Sequence, residues 1–132
     1  MYVDFATYQS MGGTLPESEI TPRLVEASGM IDALTFNRIV ALGWDRLTEF
    51  QREKVTAACV RQAEFLVENA DAVQSALTEY SINGVTMKFG NAALYELRGG
   101  MPVENMAWSL LKQTGLTSHM ATYREVEPYA LS

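Results

Sequence analysis

The stretch TEFQREKVTAACVRQAEFLVENADAVQSAL, from Thr48 to Leu77, predicts the fold class of this chain. It contains neither glycine nor proline, and its apolar residues recur at steps of three and four, the spacing of one helix face. Thr48 and Gln51 form a capping-box pattern at its start. We therefore expect one long amphipathic helix, about 45 Å at 1.5 Å per residue, along which a small domain packs. The apolar stripe consists of Val55, Cys59, Ala63, Leu66, Ala70, Val73 and Leu77.

A β-hairpin is predicted directly after this helix, at about residues 80–89. Its turn is Asn83-Gly84, the favoured pair for a two-residue type I′ turn, because both turn positions need a positive φ. Side chains alternate along a strand, so the apolar residues on both sides of the turn share one face. An isolated hairpin is marginal in water, and this face must be covered by the chain's own helices or by a second copy, packed face to face or joined edge to edge. The candidate subunit-interface residues on it are Tyr80, Ile82, Val85, Met87 and Phe89.

Shorter helices are predicted before the long one. Asp4 is placed to cap a helix over Phe5–Met11, and the glycine pair that follows would end it. Thr21-Pro22 is typical of an N-cap followed by proline at the first helical position. Apolar residues then recur at helical spacing to about Leu42, so a second helix is expected over this range, closed by the next glycine.

Two more helices are expected after the hairpin. Asn91 can cap a short helix over Ala92–Leu97, which the glycine pair at positions 99 and 100 would break. Pro102 favours the start of a last helix with an apolar face, which would end near Gly115.

Together these elements predict a mainly α fold, a small helical bundle around one long helix with a single protruding β-hairpin. The length of 132 residues fits one domain. We assign the helical domain to residues 1–116. The tail, residues 117–132, has little periodicity and is expected to become ordered on a partner.

The overall composition argues against tight binding to nucleic acid or to a membrane. The net charge is −6 and the ten lysines and arginines are scattered, so the basic footprint of a nucleic-acid binder is missing. No apolar run reaches the roughly 18 residues of a membrane span, and the start of the sequence lacks the basic residues of a signal peptide. A single cysteine excludes an internal disulfide and favours a cytosolic origin.

No group of residues indicates catalytic chemistry. His119 is the only histidine and Cys59 the only cysteine, so the several ligands of a zinc or iron site cannot be assembled. Cys59 lies on the apolar stripe, where a buried inert thiol is expected, and His119 is expected to be an ordinary surface residue. The glycine pairs lack the Lys-Ser or Lys-Thr that follows a phosphate-binding loop. We therefore expect no metal, no cofactor and no enzyme activity.

One group of polar residues shares a side of the second predicted helix. Asp32, Thr35 and Arg38 are three residues apart, so they fall along one flank. Two interpretations stay open: a polar network across a seam between helices, or a solvated ladder of side chains.

Four short motifs follow one another along the chain. In order they are Asp4-x-x-x-Tyr8-x-x-x-Gly12-Gly13, Ala27-Ser28-x-x-Ile31-Asp32-x-x-Thr35-x-x-Arg38, Tyr80-Ser81-Ile82-Asn83-Gly84-Val85 and Thr114-Gly115-Leu116. With these motifs in this order, the chain resembles the head–tail connector (adaptor) proteins of long-tailed bacteriophages and their prophage relatives. The resemblance covers roughly residues 4 to 116.

The resemblance implies a structural virion protein. Members of the family are small helical proteins with a protruding hairpin or loop, and they form a ring, usually dodecameric, beneath the portal after DNA packaging. For this chain, the resemblance implies self-assembly and binding to the portal protein and to a downstream connector or tail protein. DNA would pass through the ring without tight binding, which an acidic lumen favours. The implied location is the host cytoplasm during assembly and the head–tail junction of the virion afterwards.

Two other classes of function stay open at this point. A small intracellular helical interaction or regulatory module would bind one partner protein through the hairpin face. An enzyme could form its site between subunits. Portal and capsid genes upstream and tail genes downstream would favour the connector.

Overall fold

The structure is a computed structural model and describes residues 1–75 and 95–118. The central element of the fold is the helix that begins after Thr48. One helix before it and one after it pack against it, together with a two-stranded antiparallel hairpin. The predicted mainly α fold, a helical bundle with a hairpin, is confirmed. The elements in chain order are α1 (Phe5–Ser10), α2 (Glu17–Leu34), α3 (Arg38–Leu42), a 3₁₀ turn (Trp44–Arg46), α4 (Glu49–Glu68), α5 (described over 70–75), β1 (Tyr95–Arg98), β2 (Met101–Glu104) and α6 (Asn105–Lys112).

The predicted capping box at the start of α4 is confirmed. The Gln51 amide donates to the Thr48 hydroxyl, and the Thr48 amide donates to the Gln51 side-chain oxygen, both at 3.0 Å. The helix packs its apolar stripe against α2 and α6, which forms most of the core. The buried stripe residues in α4 are Val55, Cys59, Ala63 and Leu66.

The prediction of one uninterrupted helix from Thr48 to Leu77 is wrong at Asn69. There the backbone leaves helical geometry, with φ −121° and ψ 28°, before the helix resumes at residue 70. The Asn69 side-chain amide donates to the Phe65 carbonyl at 3.2 Å, beside the backbone bond to the same carbonyl at 3.0 Å. An asparagine side chain competes in this way with the helical backbone and favours a break.

The second helix begins five residues earlier than predicted. α2 starts at Glu17 with Pro16 as its N-cap, so Pro22 lies inside the helix rather than at its first position. The early turn buries Ile20 completely. Glu17 and Glu19 also place negative charge at the positive end of the helix dipole. Burial of Ile20 and the favourable charge at the helix start outweigh the cost of the backbone hydrogen bond that Pro22 cannot make.

The same helix does not run to Leu42 as predicted. It ends at Leu34, and Phe36 and Asn37 both adopt left-handed φ values, 56° and 57°, before α3 begins. Asparagine tolerates this region well, whereas an aromatic residue there is uncommon. The sharp corner turns Ile39 into the core, where it is 2% exposed. Tertiary burial therefore overrides the continuous helical periodicity.

The described hairpin is formed by residues for which the sequence predicted helix. β1 pairs with β2 from Tyr95 opposite Glu104 to Arg98 opposite Met101. The predicted helix over Ala92–Leu97 is therefore wrong at positions 95–97, and Pro102 lies in β2 rather than at a helix start. The turn residues 99 and 100 are glycines with φ 59° and 81°, as a two-residue hairpin turn requires.

The hairpin is joined to α4 by Gln62, a polar side chain buried in the core. Its amide nitrogen donates to the Pro102 carbonyl at 2.8 Å, and its oxygen accepts from the Glu104 amide at 2.9 Å. Glu104 then caps α6, since its carboxylate accepts from the Met106 and Ala107 amides at 2.9 Å. One glutamine thus positions β2, and β2 positions the last helix.

The N-terminal helix agrees with its prediction within one residue. Asp4 caps α1, accepting from the Thr7 amide at 2.8 Å, and the helix ends at Ser10 before the glycine pair. Tyr8 is fully buried, and its hydroxyl donates to Glu64 at 2.9 Å and accepts from the Leu15 amide at 3.1 Å.

Candidate functional site

A groove lies where the end of α2, the hairpin turn and α6 meet. Its volume is about 470 Å³, within the range of pockets that bind a few side chains or a small ligand. The chain after α6 passes along its edge at Thr117. The principal apolar residues of the groove are Leu34, Phe36, Leu97, Met101 and Trp108.

Arg98 supplies the positive charge of the groove. Its guanidinium lies over the Trp108 ring, 4.3 Å from the centroid, and one terminal nitrogen is 3.3 Å from the Glu96 carboxylate. Its Nε is buried and has no hydrogen-bond partner within residues 1–75 and 95–118. A buried N–H without an acceptor is costly. The Arg98 side chain as a whole is 29% exposed, so the rest of its guanidinium is the cationic group that an occupant of the groove can reach.

Three exposed apolar side chains lie on the corner between α2 and α3, and one of them, Phe36, also lines the groove. Phe36 is 45% exposed, Val40 63% and Leu42 39%. This corner therefore exposes apolar surface, and such surface favours contact with another protein. We call Phe36, Val40 and Leu42 the corner patch.

The structure places Asp32, Thr35 and Arg38 at this corner, but their side chains bond to separate segments. Tyr2 donates its hydroxyl to Asp32. Thr35 is fully buried and donates to the Ile31 carbonyl at 2.8 Å. Arg38 donates to the Leu116 carbonyl at 2.7 Å. The three residues therefore hold the N-terminal segment, the end of α2 and the segment after α6 to one corner.

The Tyr2 contact has an electrostatic consequence. Burial raises the pKa of the Tyr2 phenol well above its ordinary value, and the hydrogen bond to Asp32 raises it further. The phenol is therefore a hydrogen-bond donor at neutral pH and not an acid. Its ring stacks on Trp44 with centroids 5.3 Å apart, which makes Trp44 part of the packing of the N-terminus.

The candidate interface at residues 80–89 lies outside the described residues. This holds for Tyr80, Ile82, Val85, Met87 and Phe89, and for the turn residues Asn83 and Gly84. His119 and the rest of the tail after Ser118 also lie outside them. Their predicted roles stay predictions.

The described residues offer little that could bind a metal or act as a nucleophile. Within 1–75 and 95–118, no three histidine, cysteine, aspartate or glutamate side chains lie close enough to hold a metal ion. Cys59 is fully buried, with its sulfur 3.5 Å from the Ser28 hydroxyl. Burial raises the pKa of the Cys59 thiol, which keeps it protonated at neutral pH.

Comparison with known proteins leaves the groove and the corner patch as the basis of the functional argument. No protein-family model, curated protein or solved structure matches this chain. Within the described ranges, no helix combines the length and the apolar character that a bilayer crossing requires.

The sequence reasoning missed the groove because it assigned β1 to a helix. The signal that could have found it is the pair Gly99-Gly100, which is as suitable for a two-residue hairpin turn as Asn-Gly. Once that pair is treated as a turn, Leu97 and Pro102 become facing residues across two strands. The residues on either side of the turn then form one wall of the groove.

Proposed function

We propose that this chain is a subunit of a head–tail connector ring, which joins the portal to the downstream connector or tail components of a phage particle. The observation that carries the proposal is the corner patch between α2 and α3, since exposed apolar surface favours contact with another subunit. The mainly helical fold with a hairpin is consistent with the family that the sequence resembles.

The charge and chemistry of the chain support the same proposal. A ring that surrounds DNA without gripping it needs a surface free of strong phosphate contacts, and the net charge is −6. A structural subunit also needs no catalytic group. The buried Cys59 thiol, the one cysteine of the chain, is unsuited to act as a nucleophile.

The alternative is a helical module that binds a single partner protein, and the groove is the observation that favours it. An apolar groove with an arginine in its lining is suited to a short segment of another protein. The two functions differ in stoichiometry, because a module gives a complex of defined small size whereas a connector gives a closed ring.

The proposed role in assembly of the predicted hairpin at residues 80–89 can be tested with a double variant. Replacing Ile82 and Val85 by serine keeps the Asn83-Gly84 pair of the predicted turn and removes the centre of the predicted apolar face. At about 25 cal/mol per Å², covering a few such side chains is worth several kcal/mol per subunit contact, before the cost of association. We expect the isolated variant to unfold within about 5 °C of the unchanged chain but to lose ring formation on the portal, measured by sedimentation.

A matched control removes exposed apolar surface elsewhere. Val25→Ser with Met106→Ser changes two side chains that are about half exposed, one on α2 and one on α6, and should leave assembly intact. Normal assembly of the Ile82→Ser, Val85→Ser variant would contradict a role of the predicted 80–89 hairpin in the ring. A large loss of stability in the isolated Ile82→Ser, Val85→Ser variant would contradict this role as well. It would mean that the apolar face of the predicted 80–89 hairpin packs on the chain's own core.

A further inference from the structure

We propose that the groove between the corner, the hairpin and α6 is the docking site of this chain's own C-terminal segment, residues 119–132. Apolar side chains of the segment would occupy the groove, and a glutamate of the segment would accept the hydrogen bond from Arg98. This inference stands on the groove alone and does not depend on the connector proposal.

The position at which the described chain ends supports this occupant. Thr117 lines the groove and Ser118 is the next residue, so the segment leaves from the edge of the groove. Seven further residues reach Glu125, a distance of up to about 25 Å when extended, which is ample to cross a groove of this size. A tether this short gives an effective concentration on the order of millimolar, an advantage that a separate partner lacks.

The composition of the segment matches the groove. Residues 123–131 contain two carboxylates, Glu125 and Glu127, one arginine, Arg124, and apolar residues on both sides of them. The groove presents apolar walls together with the Arg98 guanidinium, whose buried Nε lacks an acceptor among the described residues. A carboxylate would form a charge-assisted hydrogen bond with the exposed part of this guanidinium. The matching residues of the segment are Tyr123, Glu125, Val126, Glu127, Tyr129 and Leu131.

Trp108 provides a direct reporter of occupancy, because it lines the groove and only one other tryptophan, Trp44, is present. In a full-length chain carrying Trp44→Phe, serine would replace the four apolar residues of the segment, Tyr123, Val126, Tyr129 and Leu131. We expect acrylamide quenching of Trp108 to rise at least about twofold, because the segment no longer excludes solvent from the indole. A control with Thr122→Ser and Ala130→Ser should leave quenching unchanged.

A labelled peptide of residues 119–132 tests the site in a second way. The serine-substituted chain should bind it at least about tenfold more tightly than the unchanged chain, whose groove its own segment already fills. Adding Phe36→Asn, which removes the ring and suits the left-handed backbone, should weaken peptide binding about tenfold. Phe50→Asn removes an equally exposed ring on α4 and serves as the control.

Arg98→Gln keeps the segment intact and tests the ionic contact separately. We expect weaker dependence of peptide binding on salt in this variant, because the cation that pairs with the carboxylate is gone. Equal peptide affinities for the unchanged and serine-substituted chains, together with unchanged quenching, would overturn the proposal. If Trp108 is protected from acrylamide only at high protein concentration, the proposal is overturned as well. The segment that fills the groove would then come from a second copy of the chain.

Discussion

Replacing Gln62 by alanine is expected to lower the free energy of unfolding by about 2 to 5 kcal/mol. The side chain is 2% exposed and bonds to two buried backbone groups of β2, the Pro102 carbonyl and the Glu104 amide. Alanine would leave both groups without a partner and would open a cavity beside α4. Loss of this contact should also loosen α6, because Glu104 caps that helix.

Urea titration of the two proteins would measure this effect. Gln113→Ala, which changes an exposed glutamine at the end of α6, should stay within about 0.5 kcal/mol of the unchanged chain. A loss below about 1 kcal/mol in Gln62→Ala would show that the two hydrogen bonds do not hold the hairpin to α4.

Cys59 is expected to react with a thiol reagent at least about 10³-fold more slowly in the folded chain than in denaturant. Its sulfur is enclosed between α2 and α4, so the reagent can reach it only when the core opens. The raised pKa lowers the thiolate fraction as well, which slows the reaction further.

The Gln62 variant gives an internal check on this second prediction. If labelling proceeds through global opening, a loss of 2 kcal/mol in stability should accelerate it by about 30-fold. Rates for folded and unfolded chains that agree within about tenfold would contradict the buried position of Cys59.

The parts of the fold that could be predicted are those that local chemistry determines. The Thr48–Gln51 capping box and the Asp4 cap depend on side chains within three residues of one another. The apolar stripe of α4 depends on periodicity alone, and its four described members up to Leu66 are buried. None of these features needs a contact from a distant part of the chain.

The parts that were missed depend on contacts that the local sequence does not show. The early start of α2 follows from burial of Ile20, and the corner after Leu34 follows from burial of Ile39. The hairpin at β1 and β2 is held by Gln62, more than 30 residues earlier in the chain. A sequence pattern for helix was overridden in each case by tertiary packing.

The candidate site could be predicted even less well, for a related reason. The groove combines residues from α2, the hairpin and α6, and no spacing along the chain brings Leu34, Leu97 and Trp108 together. Arg38 was identified as part of a polar group, but its bond to the Leu116 carbonyl crosses 78 residues. Such sites emerge only when the elements are packed.

Electron microscopy of the purified chain mixed with the portal protein encoded in the same genome tests the connector proposal most directly. The proposal predicts closed rings of this chain stacked coaxially on one face of the portal, and no rings from the Ile82→Ser, Val85→Ser variant under the same conditions. Portals that remain bare at saturating concentrations of the chain would contradict it, as would a genome in which no portal gene accompanies the chain.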